Sequence, residues 1–88
     1  MKNCKRLLIR IYGIVQGVGF RPFVSRAADS CYITGSVCNK GSYVEVIADG
    51  TKENLDNFID ILKNDPPERS SILKMDIKYM NLSIKMSQ

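Results

Sequence analysis

Between residues 13 and 22 the chain carries three glycines and a proline, and its hydrophobic period changes across them. Before them, "LLIRIYGI" at 7–14 alternates. Leu7, Ile9 and Ile11 point one way and Leu8, Arg10 and Tyr12 the other, which is the period of a strand. After them, Phe20, Val24, Ala27, Ala28 and Cys31 recur at helical spacing. Pro22 suits the first position of a helix, so a helix is expected from about 21 to 31. The chain therefore has to begin as a strand that enters a helix through a glycine-rich loop. At 88 residues it can hold one core layer, and residues 1–88 are expected to form a single domain.

The remaining segments supply partners for that unit. Gly35 is expected to break the chain. "SVCN" at 36–39 and "YVEVIA" at 43–48 then read as a hairpin joined by "KGS", with Val44, Val46 and Ala48 on one face. "ADGTKENLDNFIDILKN" is a second helix. Thr51 can cap its N-terminus, Leu55, Phe58, Ile59 and Leu62 form its apolar stripe, and Pro66 and Pro67 end it. Residues 72–80 alternate again, with Leu73, Met75, Ile77 and Tyr79 opposite Lys74, Asp76 and Lys78. "LSIKM" at 82–86 suits a short extra edge strand. The order β-α-β-β-α-β predicts an α+β, ferredoxin-like sandwich with two helices on one face of a mainly antiparallel sheet. That architecture hosts many functions and selects none.

Composition narrows the chemistry. Thirteen basic against nine acidic residues leave a net charge of +4. This favours an anionic partner without choosing among a small phosphate, a nucleic acid and a membrane surface, and a solubilising surface accounts for it equally well. Histidine is absent, and Cys4, Cys31 and Cys38 are odd in number and lack C-x-x-C spacing. Zinc and a disulfide framework are therefore not expected. Cys31 and Cys38 read as small, buried or half-buried hydrophobes, and Cys4 as an exposed thiol near the terminus. No carboxylate cluster has metal-ligand spacing, so neither a metal nor another cofactor is expected. The apolar runs are too short to span a membrane and the N-terminus lacks the pattern of a signal peptide. A cytoplasmic monomer without a membrane partner is the expectation.

The loop at 15–20 leads into a helix N-terminus, where the first N–H groups lack intrahelical partners. Glycines at 17 and 19 let loop amides turn inward as an anion-binding nest, and the helix dipole adds positive potential there. Arg21 adds a planar fork of donors that matches phosphate oxygens. Val15, Gln16, Gly17, Val18, Gly19, Phe20 and Arg21 thus form a candidate cradle for a small dianion. On spacing alone, an ordinary glycine-rich turn with a solvated arginine is the commoner reading. Phe20 also falls at core phase. Asn39, before Lys40–Gly41, reads on its own as a hairpin residue.

"VQGVGFRPF" at 15–23 resembles the acylphosphatase signature, in which a V-Q-G-V-x-F-R loop wraps the substrate phosphate. "GSVCNKGSYVEVIADG" resembles that family's second conserved block. The helix after it and "PPERSSI" fall where the family has its second helix and the entry to its final strand, so the resemblance spans nearly the whole chain. Pro22 directly after Arg21, together with "VCN", is similar to the N-terminal acylphosphatase-like domain of HypF-type hydrogenase-maturation carbamoyltransferases. In those proteins, zinc-finger and nucleotide-using domains follow.

The resemblance implies hydrolysis of a carboxylate–phosphate anhydride, with carbamoyl phosphate among the candidate substrates. It gives Arg21 the phosphoryl oxygens, the Val15–Phe20 amides the rest of the cradle, and Asn39 the orientation of the attacking water. Phosphoryl transfer needs mostly positioning and charge stabilisation, so the absence of histidine, or of a serine or cysteine beside a base, is no obstacle. Asn39 can accept and donate hydrogen bonds but cannot serve as a base. The proton then passes to a substrate oxygen, and Arg21 does the work of a magnesium ion. The implied partners are a small acyl phosphate or inorganic phosphate, and further domains of a larger carbamoyltransferase. Two other readings stand beside hydrolysis: a regulatory domain that processes carbamoyl phosphate for its neighbours, and an interaction module with a vestigial cradle. RNA-binding RRM domains share the element order, but they stack bases on two or three exposed aromatics. The first and third strands offer only Tyr12 and Tyr43, so no nucleic-acid partner is expected.

Overall fold

Leu7, Ile9 and Ile11 are fully buried along one side of β1 (Cys4–Ile14), as their alternation requires. The structure, a computed structural model, describes residues 4–15 and 19–80. The other elements are α1 (Phe20–Ser30), β2 (Thr34–Asn39), β3 (Tyr43–Thr51), α2 (Lys52–Asn64) and β4 (Ser71–Met80). The strands form one antiparallel sheet in the order β2-β3-β1-β4. Two helices on this sheet give the ferredoxin-like α+β fold. The segment proposed as an extra edge strand, 82–86, lies outside the described residues.

The core fills the space between helices and sheet. β1 contributes Leu7, Ile9 and Ile11, and β3 contributes Val44, Val46 and Ala48. Phe20, Phe23, Val24 and Ala27 of α1 and Leu55, Phe58 and Leu62 of α2 close over them, with Cys31 and Ile33 at the end of α1. Truncating one of these aromatics to alanine costs about 3–5 kcal/mol. No described polar side chain is buried as a whole, so apolar burial carries the stability. No described helix is long and apolar enough to cross a membrane.

Several expectations shift in detail. α1 starts at Phe20, which places Pro22 at the third helical position rather than the first. The proline is tolerated there because the N–H groups of the first turn have no intrahelical acceptor to lose. Phe23 joins the buried stripe, and Ala28 sits only at its margin. Gly35 does not precede the hairpin but lies within β2, opposite Ala48. Cys31 is buried as expected, whereas Cys38 is exposed. The reason is its register: Cys38 pairs with Glu45 and so belongs to the face of the sheet that carries no helix.

The largest departure is in β4. Its pairing with β1 slips between Tyr12 and Gly13, where Tyr12 faces Lys74 but Gly13 faces Ile72. Leu73 is the extra residue of a bulge, and the side-chain parity reverses across it. Ile72, Met75 and Ile77 therefore pack against the core, while Leu73 is 78% exposed. Gly13 makes this possible. Its φ is 135°, and a Cβ there would lie 2.1 Å from the Ser71 carbonyl oxygen. Strict alternation in the sequence conceals the bulge.

The helix-free face is polar and cross-linked. Arg6 holds both carboxylate oxygens of Asp49, at 2.7 and 3.0 Å, across β1 and β3. That hydrogen bond, then the charge attraction, raises the Arg6 pKa above its ordinary value. Glu45 lies between Arg10 at 3.6 Å and Lys40 at 3.7 Å. Tyr12 and Tyr43 stack at 5.0 Å, with Arg10 over one ring and Lys74 over the other. The tyrosine faces are thus occupied by each other and by cations of the same chain.

α1 ends without a glycine. Tyr32 takes the left-handed conformation at φ 59°, and Ile33 N–H reaches back 2.8 Å to the Ala28 carbonyl. A tyrosine in this conformation costs about 1–2 kcal/mol, and its side chain, 82% exposed, recovers little by packing. Tyr32→Gly should raise the chemical-denaturation midpoint, by about 1 kcal/mol of stability. Gly13→Ala should lower it by about 1–3 kcal/mol. An unchanged midpoint for Gly13→Ala contradicts the bulge.

Candidate functional site: an uncapped helix beside a strand end

The two helices begin differently. At α2, the Thr51 hydroxyl accepts the Asn54 N–H at 3.2 Å, and Glu53 places a carboxylate in the first turn. This N-terminus is closed by its own side chains. At α1 the cap is Gly19, with φ 77° and no side chain to offer. The Gly19 carbonyl accepts Phe23 N–H at 3.1 Å. The N–H groups of Phe20 and Arg21 have no acceptor among the described residues, and the first turn holds no acidic residue. Among the described residues, two donors at the positive end of a helix dipole are thus left without a partner at one point.

Arg21 is exposed on this first turn, and among the described residues it forms no ion pair. Phe20, one residue earlier, is 1% exposed and packs against Phe23 with ring centroids 5.7 Å apart. The core expectation for Phe20 therefore holds, while its backbone N–H has no acceptor among the described residues. Val15 is buried where the chain leaves β1. Gln16, Gly17 and Val18, the middle of the expected cradle, lie outside the described residues.

Sheet topology brings Asn39 to the same end. β1 and β2 both run antiparallel to β3, so their C-terminal ends coincide. Asn39 pairs with Val44, and Val44 with Ile11. Asn39 is thus two strands from β1, about 10 Å at the usual strand spacing. Val44 is fully buried beneath the helices, so its cross-strand partner Asn39 stands on the face that carries α1. Beyond β2, Lys40 N–H donates to the Tyr43 carbonyl at 2.9 Å, and Gly41 N–H donates to Asn39 Oδ1 at 2.8 Å. The hairpin reading of Asn39 is therefore correct as local structure. Its carboxamide also remains exposed at the end where α1 begins. Gly41 was not singled out from the sequence as a site residue; the N-x-G pattern was the available signal.

The model of the family described as Acylphosphatase matches residues 7–88. The chain belongs to the acylphosphatase family, a family of hydrolases. Among its relatives, the acylphosphatase of Staphylococcus haemolyticus is 33% identical over 79 residues, which are 90% of this chain and 89% of that protein. The probable carbamoyltransferase HypF of Methanocaldococcus jannaschii is 51% identical over 73 residues, 83% of this chain. The chain spans only 10% of that HypF's length. Among solved structures, full-length HypF in a phosphate- and nucleotide-bound form superposes with a TM-score of 0.86 at 35% identity, over 89% of this chain and 10% of that one. This acylphosphatase-family domain therefore resembles both small free-standing proteins and one segment of a much longer one.

Among the described residues no group of three or more cysteine or acidic side chains is placed to hold a metal ion. Titration with inorganic phosphate, followed by amide NMR, should shift Phe20 and Arg21 and leave Glu53 and Asn54 in place. Equal shifts at both helix starts would reduce the α1 terminus to non-specific charge.

Proposed function

We propose that the chain hydrolyses acyl phosphates. In this reading the amides of residues 15–20 and the Arg21 guanidinium bind the phosphoryl group, and Asn39 orients the attacking water. The observation that carries it is the start of α1 without a side-chain cap, with an arginine on its first turn that forms no ion pair among the described residues, at the sheet end that also holds Asn39. The family's chemistry is consistent with this arrangement, because such a transfer is driven by positioning and charge stabilisation rather than by covalent help from the protein.

The step balances without a protein base. The water oxygen bonds to phosphorus and the bond from phosphorus to the acyl oxygen breaks. The electron pair leaves with the carboxylate. Both water protons end on the phosphate, giving RCOO⁻ and H₂PO₄⁻ from an acyl phosphate dianion and water. Arg21 offsets the charge that gathers on the equatorial oxygens. No step calls on a metal or another cofactor.

A second reading has its own support. The 51% identity is to a HypF of which this chain spans one tenth, and the pattern of Arg21–Pro22 was already similar to that group. We read residues 1–88 as one acylphosphatase-like unit. In a HypF-type carbamoyltransferase it would process carbamoyl phosphate for neighbouring domains, with little activity alone. A cytoplasmic monomer acting on a small anion, without nucleic acid, fits either reading.

Turnover of acetyl, benzoyl and carbamoyl phosphate by the isolated chain separates the two. Comparable rates on all three favour a general acylphosphatase, and a strong preference for carbamoyl phosphate favours the second reading. Arg21→Ala should weaken phosphate binding and reduce kcat/KM by about a hundredfold or more, with Arg21→Lys recovering only part because the planar fork is lost. Asn39→Ala should lower kcat while phosphate still binds. EDTA should leave the rate unchanged. Full activity of Arg21→Ala would remove the proposal.

A further inference from the structure

We infer that Gly41 is a positioning residue for the reaction, and that Asn39 meets the attacking water through its amide nitrogen rather than its carbonyl oxygen. The inference rests on the proposed role of Asn39. Gly41 N–H donates to Asn39 Oδ1 at 2.8 Å. This hydrogen bond engages the acceptor end of the Asn39 side chain. A backbone N–H can only donate, so it fixes which end of the carboxamide faces the turn. The Nδ2 group is the end with no partner among the described residues.

The turn that delivers this N–H is itself held. Lys40 N–H bonds to the Tyr43 carbonyl at 2.9 Å, and Asn39 is tied to Val44 by the strand register. Gly41 adopts φ 94°, a conformation that L side chains rarely take. A Cβ at Gly41 would meet nothing within 4 Å. A substitution there therefore acts through the backbone conformation and the direction of the N–H, not through crowding. It would free the Asn39 carboxamide to rotate about χ1 and χ2, so the donor would be aimed correctly only part of the time.

The chemistry is self-consistent. Water can accept one hydrogen bond from Nδ2 on one lone pair and attack phosphorus with the other. Its two protons remain free to pass to phosphate oxygens.

The test is a set of kinetics on the full chain with benzoyl phosphate. Gly41→Val should lower kcat by about tenfold or more, with KM within about twofold. Gly41→Asn, which tolerates a left-handed backbone, should recover most of the loss. In an Asn39→Ala background, Gly41→Val should cost nothing further, because the two residues act as one unit. If Gly41→Val keeps the wild-type kcat while Asn39→Ala loses it, the role of Gly41 is wrong and the water-orienting reading stands. If Asn39→Ala keeps the full rate, that reading falls and takes this inference with it. The unsubstituted protein gives a check that needs no folded variant: the Gly41 amide should exchange slowly with solvent for a turn position, and unprotected exchange overturns the inference.

Discussion

Pairing of β1 on both edges is the constraint from which the rest of the molecule follows. The strand is held by β3 over Cys4–Tyr12 and by β4 over Arg6–Ile14. Its inward side chains are fully buried, so a slip of one residue would turn Leu7, Ile9 and Ile11 out to water and Arg6, Leu8 and Arg10 into the core. Fixing β1 fixes β3, and β3 fixes β2. The position of Asn39 relative to the start of α1 is a consequence of this chain of registers, with the Arg6–Asp49 fork as a further cross-strand tie.

The two helix starts are built differently. α2 closes its terminus with Thr51 and Glu53 and uses the interaction for stability. α1 leaves its donors without a side-chain cap and presents a cation beside them. Gly19 holds φ 77°, which L side chains rarely adopt, so the conformation of the cap itself favours glycine. The free-standing and HypF-type relatives share this frame while differing about ninefold in the fraction of their own length it represents.

Much of the fold was legible because period and punctuation agree. The alternation of 7–12, the stripe Leu55–Phe58–Leu62 with its Thr51 cap, and the hairpin around Lys40–Gly41 each follow from local physics, and the order of elements then restricts the topology. The failures are equally physical. Leu73 fits the alternation of its neighbours, yet a bulge opposite Gly13 turns it outward, and a bulge leaves no mark in a hydrophobic pattern. Cys38 looks apolar by type but faces the polar side because register, not composition, decides. Pro22 was placed at the first helical position because the favourable cap conformation of Gly19 was not anticipated. At the proposed site, Arg21 and Asn39 are expectations drawn from the family's motifs. The hold of Gly41 on Asn39 was not legible, because a backbone donor has no side chain to betray it.

Phe20 and Arg21 are neighbours in sequence, yet one is sealed in the interior and the other stands in solvent. The Arg21 backbone is thereby held on the same helical turn as a large core ring. Interior repacking around that ring would shift the backbone that carries the charge even where global stability is kept. Natural drift in the core is therefore coupled to the placement of an exposed charge, and thermostable designs that enlarge or shrink the Phe20 seat shift that charge along with the scaffold.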